Sequence, residues 1–174
     1  MIENIIKLYK EYGGIKSIIL SWYFLIALTL SILSSSSVGD SSWADLATGA
    51  LPSLTGFTVA AFALSFAVLG PKRIQLLTKR DKDGKSPIVS IVTAIGHAVL
   101  IQIFALVIAI TVTLSDASAL SNSLGLSEHH TYVLQNIGLA FSCLGLLFTY
   151  YGILLILAAA LSIVRLQIIV ADST

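Results

Sequence analysis

Four long apolar runs, each without Asp, Glu, Lys or Arg, dominate the hydropathy pattern of this chain; they cover residues 17–39, 46–70, 88–115 and 131–164. A helix needs about 20 apolar residues to cross a bilayer. The pattern therefore predicts an all-α, polytopic membrane protein with one transmembrane domain over residues 1–174. Its four transmembrane helices are predicted at about 17–37, 48–70, 87–115 and 132–165.

The N-terminal region allows more than one interpretation. In residues 1–16, apolar positions recur at helical spacing between charged ones, which is typical of an amphipathic helix on a membrane surface. A frayed tail is the alternative. The first apolar run could also be a signal peptide cleaved among Ser34–Ser37, although its length and its long leading region favour a retained span. Aromatic residues that could anchor helix ends at the membrane interface are Trp22, Tyr23 and Trp43.

Composition strengthens the membrane interpretation. The chain has 174 residues, of which 56% are hydrophobic and 11% are charged, and its mean hydropathy is +0.94. Soluble domains contain about 25% charged residues, and a soluble fold of this size could not bury so much apolar surface. The one cysteine, Cys143, excludes an internal disulfide, and its apolar surroundings predict a small packing residue.

Basic residues concentrate in a segment between the second and third predicted spans, residues 71–86, called the basic segment below. It holds six of the ten Lys and Arg residues, namely Lys72, Arg73, Lys79, Arg80, Lys82 and Lys85. Loops rich in Lys and Arg stay in the cytoplasm. With both termini and this segment inside, no Lys or Arg lies outside. This predicts a cell (inner) membrane protein with both termini cytoplasmic.

Stripes of small residues run along the second and fourth predicted spans, with steps that alternate between four and three. The members are Gly49, Ser53, Gly56, Ala60, Ala63, Ala67 and Gly70 in the second span and Gly138, Ser142, Gly145, Thr149 and Gly152 in the fourth. Such a repeat stays on one helix face, and small residues let helices approach closely in lipid. Each stripe could pack within the bundle or form a subunit interface, and a homo-oligomer is expected.

Strongly polar side chains deep within a span are limited to His97 and Gln102. Such residues are candidates for function. The simpler interpretation, which we favour, is that each forms a hydrogen bond to a carbonyl or hydroxyl group of a neighbouring helix. Because they are five residues apart, we do not expect them to share one face of their helix.

Recognisable catalytic chemistry is missing from the sequence. No predicted span contains a carboxylate, which disfavours a proton-coupled exporter, and there is no HExxH motif, Gly-rich phosphate loop or cysteine pair. The adjacent residues Glu128, His129 and His130 are a weak signal for a metal. The sequence therefore predicts no enzymatic activity, no cofactor and no bound metal.

A family resemblance lies in the stretch GFTVAAFALSFAVLG, the basic segment and the SP that leads to GHAVLIQIFALVIA. This layout resembles the small four-span membrane subunits of prokaryotic anti-phage systems, including the membrane subunit of the Kiwa system. The resemblance implies an oligomer that recruits a cytosolic DNA-binding partner and senses events at the envelope. It covers most of the chain by topology, but only the second and third spans by sequence, and it provides no motif to transfer residue by residue.

The functional hypothesis is a non-enzymatic membrane scaffold or sensor of a defence complex. Its expected partners are anionic lipid headgroups, further copies of itself and a soluble cytosolic protein, and no direct binding of nucleic acid is expected. The basic segment would contact the lipid and dock that soluble protein. The alternative is a pore-forming membrane effector or a small ion channel, which the small-residue stripes and the Ser- and Thr-rich faces would also fit.

Overall fold

The computed structural model describes residues 3, 14–78, 86–115, 123, 125 and 127–171, and no strand occurs in these ranges. The all-α prediction is thus confirmed. The elements in chain order are α1 (Gly14–Ile19), α2 (Trp22–Leu33), a 3-10 turn (Ser35–Val38), α3 (Ser42–Thr78), α4 (Pro87–Leu114) and α5 (Glu128–Ala171). The surface helix predicted for residues 1–16 lies almost entirely outside the described residues.

Within the described residues, three helices are long and apolar enough to cross a membrane. The segments concerned are Ser42–Leu64 of α3, Pro87–Leu114, which is all of α4, and Glu128–Arg165 of α5. Helix α2 is equally apolar but has only 12 residues, or ~18 Å at 1.5 Å per residue. The hydrocarbon core of a bilayer is ~30 Å thick. Helices of spanning length therefore account for the second, third and fourth predicted spans.

The first predicted span is not one continuous helix. Helix α1 ends at Ile19, and Ser21 has extended backbone angles and caps α2 by accepting a hydrogen bond from the Phe24 N–H at 3.1 Å. A second interruption follows α2, where the Ser37 hydroxyl donates to the Ser34 carbonyl at 2.7 Å beside the 3-10 turn. Serine hydroxyls compete with helical hydrogen bonding, and they divide this apolar stretch.

Helix α3 is longer at both ends than the sequence predicted. It begins at Ser42, within the predicted loop, because the Asp40 carboxylate accepts a hydrogen bond from the Ser42 N–H at 3.0 Å. That bond also lowers the pKa of Asp40 from its usual value. Because the helix begins at Ser42, Pro52 lies in its interior. Residues 71–78 of the basic segment, expected in a loop, are helical.

The bundle is organised around α5, which packs against α2, α3 and α4, while α3 also packs against α4. Alanines occupy several of the most buried positions, because Ala27 of α2, Ala44 of α3 and Ala98, Ala105 and Ala109 of α4 have no exposed surface. Small residues allow helix backbones to approach and make many van der Waals contacts.

The outer surface of the bundle carries large apolar side chains, including Trp22, Phe57 and Leu64, which are more than two-thirds exposed. Extensive exposed apolar surface marks an interaction with a membrane or with protein. Two residues differ from their predicted roles. Trp43, expected at the membrane interface, is only 3% exposed, and Cys143, expected to pack inside, is exposed.

Candidate functional site

The two polar side chains of the third predicted span are fully buried between α4 and α5. His97 Nε2 lies 3.0 Å from the Tyr151 hydroxyl, and Gln102 Nε2 donates to the carbonyl oxygen of Gly152 at 3.1 Å. These are the hydroxyl and carbonyl partners that the simpler interpretation predicted. Helix α4 therefore directs both polar groups to two adjacent residues of α5, and we call these two contacts the polar seam.

His97 and Gln102 contact the same neighbouring helix, although they do not share one face of α4. Their positions are about 140° apart around α4, given 3.6 residues per turn. The long side chain of Tyr151 reaches around to His97. Gln102, by contrast, lies directly against the backbone of Gly152. The Tyr151 ring also meets the Phe24 ring edge-on, with centroids 5.5 Å apart. Tyr151 thus joins α2, α4 and α5.

Gln102 Oε1 and Trp43 Nε1 are two buried polar atoms without a hydrogen-bond partner among the described residues. A buried polar group without a partner costs about 1–3 kcal/mol. The polar seam therefore adds less to stability than its two hydrogen bonds indicate. Its clearer effect is to fix how α4 and α5 are aligned, since any other alignment would also break those bonds.

Most of the small-residue stripe of α5 is buried in contacts within the bundle. A Cβ atom at Gly145 would overlap the Trp43 ring and the Ile108 side chain, and one at Gly152 would lie 3.1 Å from Gln102 Cγ. Ser142 and Thr149, between and beside these glycines, are buried too. Gly138 differs, because it is exposed and a Cβ there would have no neighbour within 4 Å.

The small-residue stripe of α3 faces outward. Six of its members are exposed, namely Gly49, Ser53, Gly56, Ala60, Ala63 and Ala67. Gly70 lies outside the residues whose exposure the structure describes. A Cβ at Gly49 or Gly56 would meet nothing within 4 Å. The two stripes look alike in sequence, but most of the α5 stripe is buried inside the bundle, whereas the α3 stripe is exposed over residues 49–67. We call Gly49, Ser53, Gly56, Ala60, Ala63 and Ala67 the outward stripe.

The basic segment is described only at its two ends. Lys79, Arg80, Lys82 and Lys85 lie outside the described residues, and Lys72 and Arg73 belong to α3 without described side chains. The Ser86 hydroxyl donates to the Leu77 carbonyl at 2.9 Å, and Leu77 and Ile88 are buried in one cluster. Residues 79–85 therefore connect two helix ends that are held together.

The metal hypothesis at Glu128, His129 and His130 gains no support from the described geometry. The His130 Nδ1 atom lies 2.7 Å from the Ser127 hydroxyl. Among the described residues, no group of three or more His, Cys, Asp or Glu side chains is arranged to hold a metal ion.

The part of the chain that the structure describes is therefore all-α, with three helices of membrane-spanning length. Comparison with known proteins adds no family, because no protein-family model, no curated protein and no solved structure matches the chain.

The contact between His97 and Tyr151 can be tested by removing one hydroxyl group. We expect Tyr151→Phe to lower the free energy of unfolding by about 1 kcal/mol, the usual size of a hydrogen bond between helices in lipid. The same change at Tyr132, which is 64% exposed, should have no effect. Unfolding by SDS in mixed micelles, followed by circular dichroism, measures both. Equal stability of the two variants would contradict a contribution from this contact.

Proposed function

We propose that this protein is a non-enzymatic membrane scaffold or sensor that assembles with copies of itself and docks a soluble cytosolic protein. The observation that carries the proposal is the continuity of α3. One helix presents the exposed outward stripe and then runs into the first part of the basic segment, with Lys72 and Arg73 in its last two turns. A defence role rests on the resemblance of the layout to anti-phage membrane subunits.

The proposed orientation has four crossings, of which the first is made by α1 and α2 together. Helix α1 has 6 residues and α2 has 12, together ~27 Å of helix, which is close to a ~30 Å hydrocarbon core. If only three helices crossed, Lys7, Lys10 and Lys16 would lie outside. The preference of Lys and Arg for the cytoplasm therefore supports four crossings of the cell membrane, with both termini on its cytoplasmic side.

Self-assembly is assigned to the outward stripe. Helices in lipid associate where small residues let their backbones touch, and steps of four and three keep such residues on one face along several turns. The stripe of α5 is already occupied by Trp43 and Gln102. This leaves the stripe of α3 for contact with another copy.

The basic segment is assigned two contacts at the cytoplasmic surface. Each Lys or Arg near an anionic leaflet gains about 1 kcal/mol, so its six cations bind lipid headgroups. We propose that the same segment also docks an acidic surface of a soluble protein. The hydrogen bond from Ser86 to Leu77 supports this assignment, because it holds the two ends of the connection together and limits the conformations that docking must order.

A pore between copies is the second candidate function. It is favoured by Ser53, an exposed polar residue between Gly49 and Gly56 on the outward stripe. Several hydroxyl groups of the bundle, such as those of Thr58 and Thr149, instead donate to carbonyls of their own helices. Ion conductance in planar bilayers, or depolarisation of cells that overexpress the protein, would favour the pore over the scaffold.

The orientation can be tested with single cysteines in a Cys143→Ser background, which is safe for folding because Cys143 is exposed. Cysteines at Ser42 and Ser123 should react with a membrane-impermeant thiol reagent in intact cells. Cysteines at Glu3, Gly84 and Ser173 should react only after the cells are broken. Labelling at Gly84 in intact cells would reverse the orientation, and labelling at Glu3 alone would show that the first apolar segment does not cross.

The two stripes should respond differently to the same substitution. We expect Gly145→Leu to destabilise the monomer by about 3 kcal/mol, at the upper end of typical overpacking costs, because its side chain would overlap Trp43. Gly56→Leu should leave the monomer folded but abolish oligomers, measured by size-exclusion chromatography with light scattering in mild detergent. A Gly56→Leu variant that remains oligomeric would exclude the outward stripe as the interface between copies.

Docking can be separated from lipid binding by reversing the charge of Lys79, Arg80 and Lys82 to Glu while Lys72, Arg73 and Lys85 are kept. The retained cations should preserve the orientation. Lipid binding should weaken in proportion to charge and fall with added salt, whereas co-purification of the soluble partner should fail completely. A triple variant that inserts normally and still retains its partner would exclude the basic segment as the docking site.

A further inference from the structure

A cavity of about 1000 Å³ lies between the N-terminal part of α5, the C-terminal end of α4 and the turn that precedes α3. Apolar side chains such as Val112, Ile137 and Phe141 form most of its lining. Polar side chains contribute at the helix ends, with Ser41 before α3 and Ser115 after α4, and Gln135 projects from α5. No charged residue is among the described residues that line it.

Gly138 places this cavity on the glycine face of α5. Gly138, Gly145 and Gly152 are seven residues apart and so lie on nearly the same side of the helix. The Trp43 ring covers Gly145 and the Gln102 side chain covers Gly152, whereas nothing lies within 4 Å of a Cβ at Gly138. This glycine face of α5 is therefore covered by a neighbouring side chain at Gly145 and Gly152 but not at Gly138, where it lines the cavity. An unfilled apolar surface loses van der Waals contacts.

We propose that this cavity binds an acyl chain of a membrane lipid in the outer leaflet, with the ester region of that lipid next to Ser41, Ser115 and Gln135. The proposal rests on the membrane orientation proposed above, which places this end of the bundle at the outer surface. Hydroxyl and amide groups can donate hydrogen bonds to ester carbonyl oxygens. The described part of the lining carries no charge, which fits the glycerol ester region of a lipid.

The size and surroundings of the cavity favour lipid over a second copy as its occupant. Its volume lies at the upper end of the ~300–1000 Å³ typical of small-molecule sites. Acyl chains surround the helices at this depth, and they are flexible enough to fill an irregular groove. The chain also offers a different face for self-association, the outward stripe of α3, where a Cβ at Gly49 or Gly56 would have no neighbour within 4 Å.

The test uses the full chain reconstituted in phosphatidylethanolamine vesicles that contain a fraction of the same lipid with a diazirine in the middle of one acyl chain. After illumination, mass spectrometry of the peptides locates the label. We expect enriched labelling near Val112, Ile137 and Phe141. Gly138→Leu should abolish that enrichment, because the leucine would occupy the cavity, and should leave the helix content unchanged, because a Cβ at this position meets no neighbour.

Ala160→Leu is the matched control, because Ala160 is an exposed residue of the same helix far from the cavity; it should keep the label. Uniform labelling of every lipid-facing peptide, or equal labelling of the two variants, would overturn the proposal. So would a Gly138→Leu variant that loses oligomers, since the cavity would then belong to an interface between copies. These outcomes are independent of the cysteine map, which alone tests the proposed orientation.

Discussion

The close approach of α3 and α4 to the glycine face of α5 is the contact on which the bundle depends. The Trp43 ring lies on Gly145, and Gln102 lies on Gly152, with no room for a Cβ at the first position. Lipid tails are as apolar as leucine, so burial of apolar surface does not drive helices together in a membrane. Van der Waals contact must do so, and it requires backbones to come close. Glycine provides this at the two places where a large side chain arrives.

The polar seam adds specificity to this packing. Each hydrogen bond between helices contributes only about 1 kcal/mol, but a shift of α4 along α5 would leave two further polar groups buried without partners. The contacts from His97 to Tyr151 and from Gln102 to Gly152 therefore select one alignment of the two helices. Tyr151 extends this selection to α2 through the Phe24 ring.

The two small-residue stripes have different positions, one in the core of the monomer and one on its outer surface. Helix α5 uses its stripe to build the monomer, and α3 carries an equivalent stripe away from the core. Assembly through the outward stripe would bring the ends of several α3 helices together, and with them the basic segments that follow. Clustering of like charges at one membrane surface would strengthen attraction to acidic partners and to anionic lipid. This links the proposed assembly to the proposed docking without any enzymatic step.

The sequence by itself determined that the protein is helical and roughly where its long apolar segments lie. Backbone groups in lipid must be satisfied within the segment, so an uncharged run of spanning length can only be a helix. Hydropathy did not detect the break at Ser21, because one serine hardly changes an average but its hydroxyl can cap a new helix. His97 and Gln102 were identified from their polarity alone, and their partner types followed from the cost of burying them.

Tertiary structure decided which way each stripe and each aromatic residue faces. The stripes of α3 and α5 have the same spacing, and contacts such as those of Trp43 with Gly145 and Gln102 with Gly152 make the stripe of α5 internal. Trp43 was expected at the membrane interface because the glycine that accepts it lies far away in the sequence. His97 and Gln102 reach one helix because Tyr151 is long and Gly152 is small. Such pairings depend on the shapes of two distant segments together. The hydropathy pattern of one segment does not show which residues of the other will pack against it.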